Sequence, residues 1–231
     1  MTCTECRCGS KPRNVTSNIM RSLLLTIFTV LTFSVFGQKI IRKAVKVIPH
    51  LSLYSIGGDT TNLKAFSHNK VTFINFWFIP CGPCFGEMNM LHQLYAKYKG
   101  NPNVSFLTIT FTDSSFVKPL IENKITLNND THDYFRKLAQ LDSFKLPVYF
   151  IKDVSSKMIS FKKGKFGFTG NGEPRPKDQS HFPDNVFGFS AYPTTFIFDK
   201  EGKTIYNKTG FTQEGEKQQQ KNIEVLINAR L

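Results

Sequence analysis

Two stretches of the chain are apolar at nearly every position, 71–78 (VTFINFWF) and 104–111 (VSFLTITF). A strand with one wet face alternates in character, so near-continuous apolar runs of this length predict strands covered on both faces. Shorter runs at 146–151 (LPVYFI), 194–199 (TTFIFD) and 204–210 (TIYNKTG) predict three more strands. The last two are joined by the turn Asp199-Lys200-Glu201-Gly202. Residues 45–54 alternate weakly and break at Gly57-Gly58-Asp59, a turn signal between two short strands. Elsewhere a helical period takes over. From Cys84 the apolar positions Met88, Leu91, Tyr95 and Tyr98 recur about every 3.6 residues as far as Gly100, a natural stop. Thr131 can cap another helix through about Leu141, and 214–230 reads as a closing amphipathic helix. Strands alternating with helices, then a hairpin and a last helix, predict an α/β layered domain on a mixed sheet.

Three segments stand outside this pattern. Residues 154–185 are rich in Gly, Pro, Lys and Phe and read as an insertion carrying a small hairpin. Its Phe161, Phe166, Phe168 and Phe182 predict that part of it packs onto something. Residues 20–37 combine Met20-Arg21, an apolar run at 22–36, and Val35 and Gly37 at the −3 and −1 positions of a cleavage site. This predicts a signal peptide cut before Gln38, hence an exported protein of the periplasm or cell envelope. An uncleaved anchor is the alternative, although a span needs about 20 apolar residues. Residues 1–19 precede an already complete leader, which points to translation from Met20, with a polar tail as the alternative. Residues 38–231 are then one domain.

The formal net charge is +13, with the lysines dispersed. No nucleic-acid motif accompanies it, so the expectation is a solvated basic surface and no nucleic-acid partner. Peripheral contact with an anionic membrane is the association such a charge permits.

The candidate chemistry lies at the end of the first apolar strand, in Cys81-Gly82-Pro83-Cys84. Of five cysteines, Cys3, Cys6 and Cys8 sit ahead of the leader, so these two form a pair on their own. A helix starting there supplies partial positive charge and unpaired N–H groups that stabilise the first thiolate. The second sulfur, one turn on, is placed to resolve a mixed disulfide. This reads as thiol–disulfide exchange with Cys81 as an exposed nucleophile and Cys84 as the resolving thiol. A zinc site needs a second ligand pair, and His50, His68, His92, His132 and His181 are scattered, so neither a metal nor an organic cofactor is expected. An inert structural disulfide is the other bland reading, disfavoured by Gly-Pro and the strand-to-helix setting.

FINFWFIPCGPCFGEM (73–88), AYPTTFIFDKEGK (191–203) and IPHLSLYSIGGDTTNLKAF (48–66) together resemble the TlpA/ResA-like thioredoxin-fold oxidoreductases of bacterial cell envelopes. The resemblance spans roughly 45–230 apart from the insertion. It implies a thioredoxin-like layered fold with an N-terminal β-hairpin extension and an insertion before a cis-proline strand. It also implies that Pro193 is cis, that its loop with Tyr192 shapes the substrate groove, and that Trp77 belongs to that groove by packing beside the reactive sulfur, a place compatible with simple core packing at the end of a strand. Partners implied are client proteins with thiols or disulfides and a membrane electron donor.

Glu87 matches an acidic residue of that group. On its helix it shares a face with Met90, Leu91 and Leu94, which predicts a half-buried carboxyl with a raised pKa, able to relay a proton to or from Cys84. Interaction of a first-turn glutamate with the helix dipole is the competing reading. Asn75 stands where cytosolic thioredoxins carry a buried Asp, and Pro80 replaces an aromatic residue. A thiol peroxidase would carry Thr and Pro three and seven residues before its cysteine, where Phe78 and Ile74 stand here. A client-binding module without catalysis, using 154–185, is the remaining alternative. Gly82-Pro83 puts no positive charge between the cysteines, which predicts a reducing rather than a strongly oxidising pair.

Overall fold

The computed structural model describes residues 43–79, 81–122, 143–151, 159–162, 165–168 and 182–231. All of them fall in one compact unit, Arg42–Leu231. The expected leader, the helix expected at 131–141 and Pro80 lie outside the described residues.

The predicted strands form. They are β1 (Ser52–Ser55), β2 (Thr60–Asn62), β3 (Val71–Trp77), β4 (Val104–Thr110), β5 (Val148–Ile151), β8 (Thr194–Phe198) and β9 (Thr204–Thr209). They make a mixed sheet in the order β2-β1-β5-β4-β3-β8-β9. Strands β3, β4 and β5 run parallel, and the strands outside them pair antiparallel. Every residue of β3 is buried, which is why its sequence lacks alternation. The period of two still sorts its side chains. Val71, Phe73 and Trp77 join one core layer with Phe106 and Ile197. Ile74 and Phe76 join the other with Leu107, Ile109, Phe196 and Phe198. The β1–β2 hairpin forms one end of the sheet, as the resemblance implies.

Helices cover both faces. A single helix is expected from Cys84 to Gly100, but two form, α2 (Gly82–Gly86) and α3 (Met88–Tyr98), with Glu87 between them at φ −85° and ψ −8°. The chain path stays continuous, since the Glu87 N–H donates to Pro83 O (3.3 Å) and its carbonyl accepts from the Leu91 N–H (3.1 Å). Between β2 and β3 lies the short α1 (Leu63–Phe66), and α6 (Glu216–Asn228) closes the chain. Besides the short α1, two helices were not expected. Pro119 sits inside α4 (Ser114–Ile121) and disguises it. The other, α5 (Pro183–Phe187), opens on a proline and closes on Gly188, which a reading of short segments can catch.

Within 154–185 an antiparallel hairpin forms from β6 (Ile159–Lys162) and β7 (Lys165–Phe168). Of the phenylalanines expected to pack, Phe182 does so. It is buried and packs in the same core layer as Phe187. The N-terminal segment clasps the far edge of the sheet. Val45 N–H donates to Phe187 O (2.9 Å), Ile48 N–H to Gly202 O (2.8 Å) and Thr204 N–H to Lys46 O (2.9 Å).

Gly188 is the tight point of this clasp. Its φ is +69°, and a Cβ there would collide with the Lys43 carbonyl. Gly188→Ala is therefore expected to lower stability by more than about 1 kcal/mol, combining left-handed strain with the collision. Urea unfolding measures this, and an unchanged midpoint would refute the stated packing.

Candidate active site

Strand β3 ends where its partner does. The Ile79 N–H donates to Thr112 Oγ1 (2.9 Å), and the Thr112 N–H donates to Thr110 Oγ1 (3.2 Å). That pins the segment leading to Cys81 against the end of β4. Cys81 then takes an extended conformation (φ −132°, ψ 94°) and caps α2 with its own side chain. The Cys84 backbone N–H donates to Cys81 Sγ at 3.3 Å. Pro83 lies in the first turn, where a missing N–H breaks no helical bond.

Cys81 and Cys84 are joined as a disulfide, with Cα atoms 5.3 Å apart. Cys81 is expected to be exposed, yet it retains 6 % exposure against 0 % for Cys84. The exposed residues are Gly82 and Pro83, because the sulfur of Cys81 turns toward the helix start. Both cysteines are thus buried, with Cys81 keeping the small remaining exposure.

Tyr192-Pro193 is a cis peptide bond. The Pro193 carbonyl accepts from the Gly210 N–H (2.8 Å), and Thr194 Oγ1 donates to Ala191 O (2.6 Å), so the loop is held from both sides. Tyr192 is half-buried and packs edge-on against Phe78, with ring centroids 5.1 Å apart. It also meets Phe111 (5.4 Å) and Phe189 (5.1 Å). The Phe78 contact brings the proline loop to the segment that delivers Cys81.

Trp77, expected at the groove, is wholly buried. Its ring packs on Phe85 (5.8 Å) and Phe144 (5.7 Å), in the core layer that holds both cysteines. It offers no surface to solvent. Phe144 is held by His92, whose ring it meets edge-on at 5.4 Å. The His92 ring pairs through Nδ1 with Met88 O (2.8 Å) and accepts the Lys145 N–H through Nε2 (2.9 Å), which ties residues 143–146 to α3.

Glu87 is buried completely rather than by half, at 1 % exposure. Asn75 Nδ2 donates to its Oε1 at 2.6 Å and to Thr195 Oγ1 at 3.1 Å. Burial pushes the Glu87 carboxyl up to about 8, against the opposing pull of the Asn75 hydrogen bond and the Lys208 charge. Burial, with the Glu87 charge, likewise raises the Tyr206 phenol. Sequence reasoning placed Asn75 and Glu87 separately and missed their contact. The available signal was an amide inside an otherwise apolar strand, since a buried polar side chain calls for a partner. Among the described residues no group of three or more His, Cys, Asp or Glu side chains is arranged to hold a metal ion.

A cis-proline loop set beside a C-x-x-C at the start of a helix, on a mixed sheet layered with helices, defines a thioredoxin-like fold with a dithiol redox site. The sequence is similar to the thiol-disulfide oxidoreductase ResA of Bacillus thuringiensis, 25 % identical over 170 residues, covering 74 % of this chain and 72 % of that protein. ResA of Bacillus anthracis matches over the same extent. No protein-family model matches the chain. Solved structures that resemble it include a thioredoxin-like protein from Porphyromonas gingivalis (TM-score 0.47, 20 % identity, 80 % of this chain and 95 % of that one). Another is the pneumococcal exposed lipoprotein thioredoxin Etrx1 of Streptococcus pneumoniae (TM-score 0.42, 19 % identity, 75 % and 99 %).

The depth of Glu87 has a consequence for stability. Its folded pKa of about 8 lies above the ordinary 4.5, so the native state holds a proton that the unfolded chain gives up. Stability is therefore lost as pH rises from 4.5 toward 8 and is level above that. Glu87→Gln is expected to match the wild type near pH 4 and to become progressively more stable than it up to about pH 8. Denaturant titrations across this range check the sign, and a constant difference at all pH values would contradict it.

Proposed function

We propose that the protein is an exported thiol–disulfide oxidoreductase that reduces disulfides of client proteins through Cys81 and Cys84. The observation that carries this reading is the Cys84 N–H directed at Cys81 Sγ at the start of α2. A hydrogen bond of that kind favours the thiolate over the thiol. In the dithiol form, Cys81 attacks one sulfur of a client disulfide, and the other client sulfur leaves as a thiolate and takes a proton. Cys84, once deprotonated, attacks Cys81 Sγ and releases the second client thiol. Two electrons have then passed to the client, and the protein is left as the Cys81–Cys84 disulfide. A donor dithiol, expected on the membrane, restores it.

Glu87 suits the proton step. A carboxyl titrating at about 8 holds both of its forms near neutrality, so it can take the Cys84 proton and return it. Pro193 and Tyr192 shape the surface beside Cys81, while Trp77 acts from beneath. The peroxidase alternative finds no support at Phe78 or Ile74, whose side chains pack with the core and carry no hydroxyl. Export rests on the leader pattern at 20–37. No helix among the described residues is long and apolar enough to cross a membrane.

Cys84→Ala is expected to attack clients but not release them, accumulating covalent adducts that reductant removes. Cys81→Ala should trap little, because its remaining thiol has no exposure. Mass spectrometry of adducts from both variants decides, and a better trap in Cys81→Ala would reverse the assignment. Equilibration with glutathione should place the potential nearer about −270 mV than about −120 mV. A value above about −180 mV would make the protein an oxidant or isomerase. N-terminal sequencing of the protein from its native cell should find Gln38 first, and a mature chain retaining Cys3, Cys6 and Cys8 would contradict the leader.

A further inference from the structure

Asn75 is fully buried, and its amide is used unevenly. Both side-chain hydrogen bonds are donated by Nδ2, to Glu87 Oε1 (2.6 Å) and to Thr195 Oγ1 (3.1 Å). Its Oδ1 is buried with no hydrogen-bond partner. A primary amide carries a donor and an acceptor of nearly the same shape, and a half-turn about its last side-chain bond exchanges them. The orientation seen serves a carboxylate, which only accepts. After a half-turn, Oδ1 can accept from a protonated Glu87 carboxyl. The Thr195 hydroxyl serves either orientation, because it accepts from Nδ2 in one and donates to Oδ1 in the other. A buried polar atom left unmatched costs about 1–3 kcal/mol, so a fixed apolar or donor-only neighbour would penalise one protonation state of Glu87.

We propose that Asn75, backed by Thr195, is the positioning group for Glu87, hydrogen-bonding its carboxyl in both protonation states by turning over as the proton comes and goes. The inference rests on the reading of Glu87 as the proton relay of the dithiol site. It explains why a strand that is otherwise apolar carries an amide at this place. A neighbour that adapts to both states lets a buried carboxyl cycle without the surrounding core moving. The other groups that face Glu87 come from β9, where Lys208 and Tyr206 lie. The Lys208 Nζ is itself held by Gln219 Oε1 (2.6 Å). The Lys208 ammonium can only donate, and the side-chain hydrogen bond to the Glu87 carboxyl comes from Asn75.

The test is an NMR titration of the oxidised protein, in which Cys81 and Cys84 form a disulfide and do not titrate. With labelled glutamate carboxyls and asparagine side chains, the Asn75 NH2 resonances are expected to move with the midpoint of the Glu87 carboxyl. In Glu87→Gln they should be flat. Asn75→Leu removes the partner of both protonation states, so the Glu87 midpoint should move by less than one pH unit, whereas loss of a fixed donor to the carboxylate alone would raise it by one pH unit or more, about tenfold in proton affinity. Thr195→Val keeps the shape and should leave the Asn75 response coupled to Glu87 but with a changed amplitude. Asn75 resonances that stay still while Glu87 titrates would overturn the proposal. So would an Asn75→Leu midpoint raised by one pH unit or more, the mark of a donor fixed on the carboxylate. Failure of the relay reading looks different: Glu87→Gln would leave the pH profile of client reduction unchanged while the Asn75 coupling persisted.

Discussion

The site depends on one short contact, the Cys84 N–H pointing at Cys81 Sγ. For that N–H to be free, the helix must begin at Cys81 and not a residue sooner, since the first N–H groups of a helix have no internal partner. For Cys81 to sit there, β3 must stop on time, which the bond from the Ile79 N–H to Thr112 enforces. The strand is long and buried enough to fix that position because helices and loops cover both of its faces. A surface strand could drift in register, but one with seven buried residues cannot slip without exposing its core set.

Against that apolar frame the few buried polar groups stand out. Asn75, Glu87 and Thr195 come from β3, the α2–α3 junction and β8, and they meet inside the first core layer. Burying a carboxyl raises its pKa because the charged form loses its hydration, and one amide hydrogen bond recovers only part of that. A core built for stability alone would place a leucine at residue 87. Retaining a carboxyl one turn beyond Cys84 is the kind of local cost that accompanies chemistry.

The strands were legible because their runs are apolar or alternating over lengths that only strands have. The reactive pair was legible because two cysteines at helix-turn spacing follow such a run. Other features are invisible to a local period. The break at Glu87 leaves the apolar spacing of α2 and α3 intact, so nothing in the pattern marks it. Pro119 masks α4, and α5 is too short for periodicity to register. The bond from Asn75 to Thr195 joins residues 120 apart, a pairing set by the order of strands in the sheet. The cis bond at Tyr192-Pro193 came to view through the resemblance of Tyr-Pro-Thr-Thr-Phe to known envelope oxidoreductases, since X-Pro sequence alone favours trans. Full burial of Trp77 and Glu87 reflects the depth of the first core layer, which a single helical face does not report.

The proposed chemistry requires Cys81 to be the activated sulfur. Its most direct measurement is the rate of iodoacetamide alkylation of each cysteine in the reduced protein as a function of pH, read by peptide mass spectrometry. Cys81 should react with an apparent pKa below the free-thiol value of about 8.5, and Cys84 at least about tenfold more slowly at neutral pH. Faster alkylation of Cys84, or a Cys81 that titrates at or above about 8.5, would contradict it.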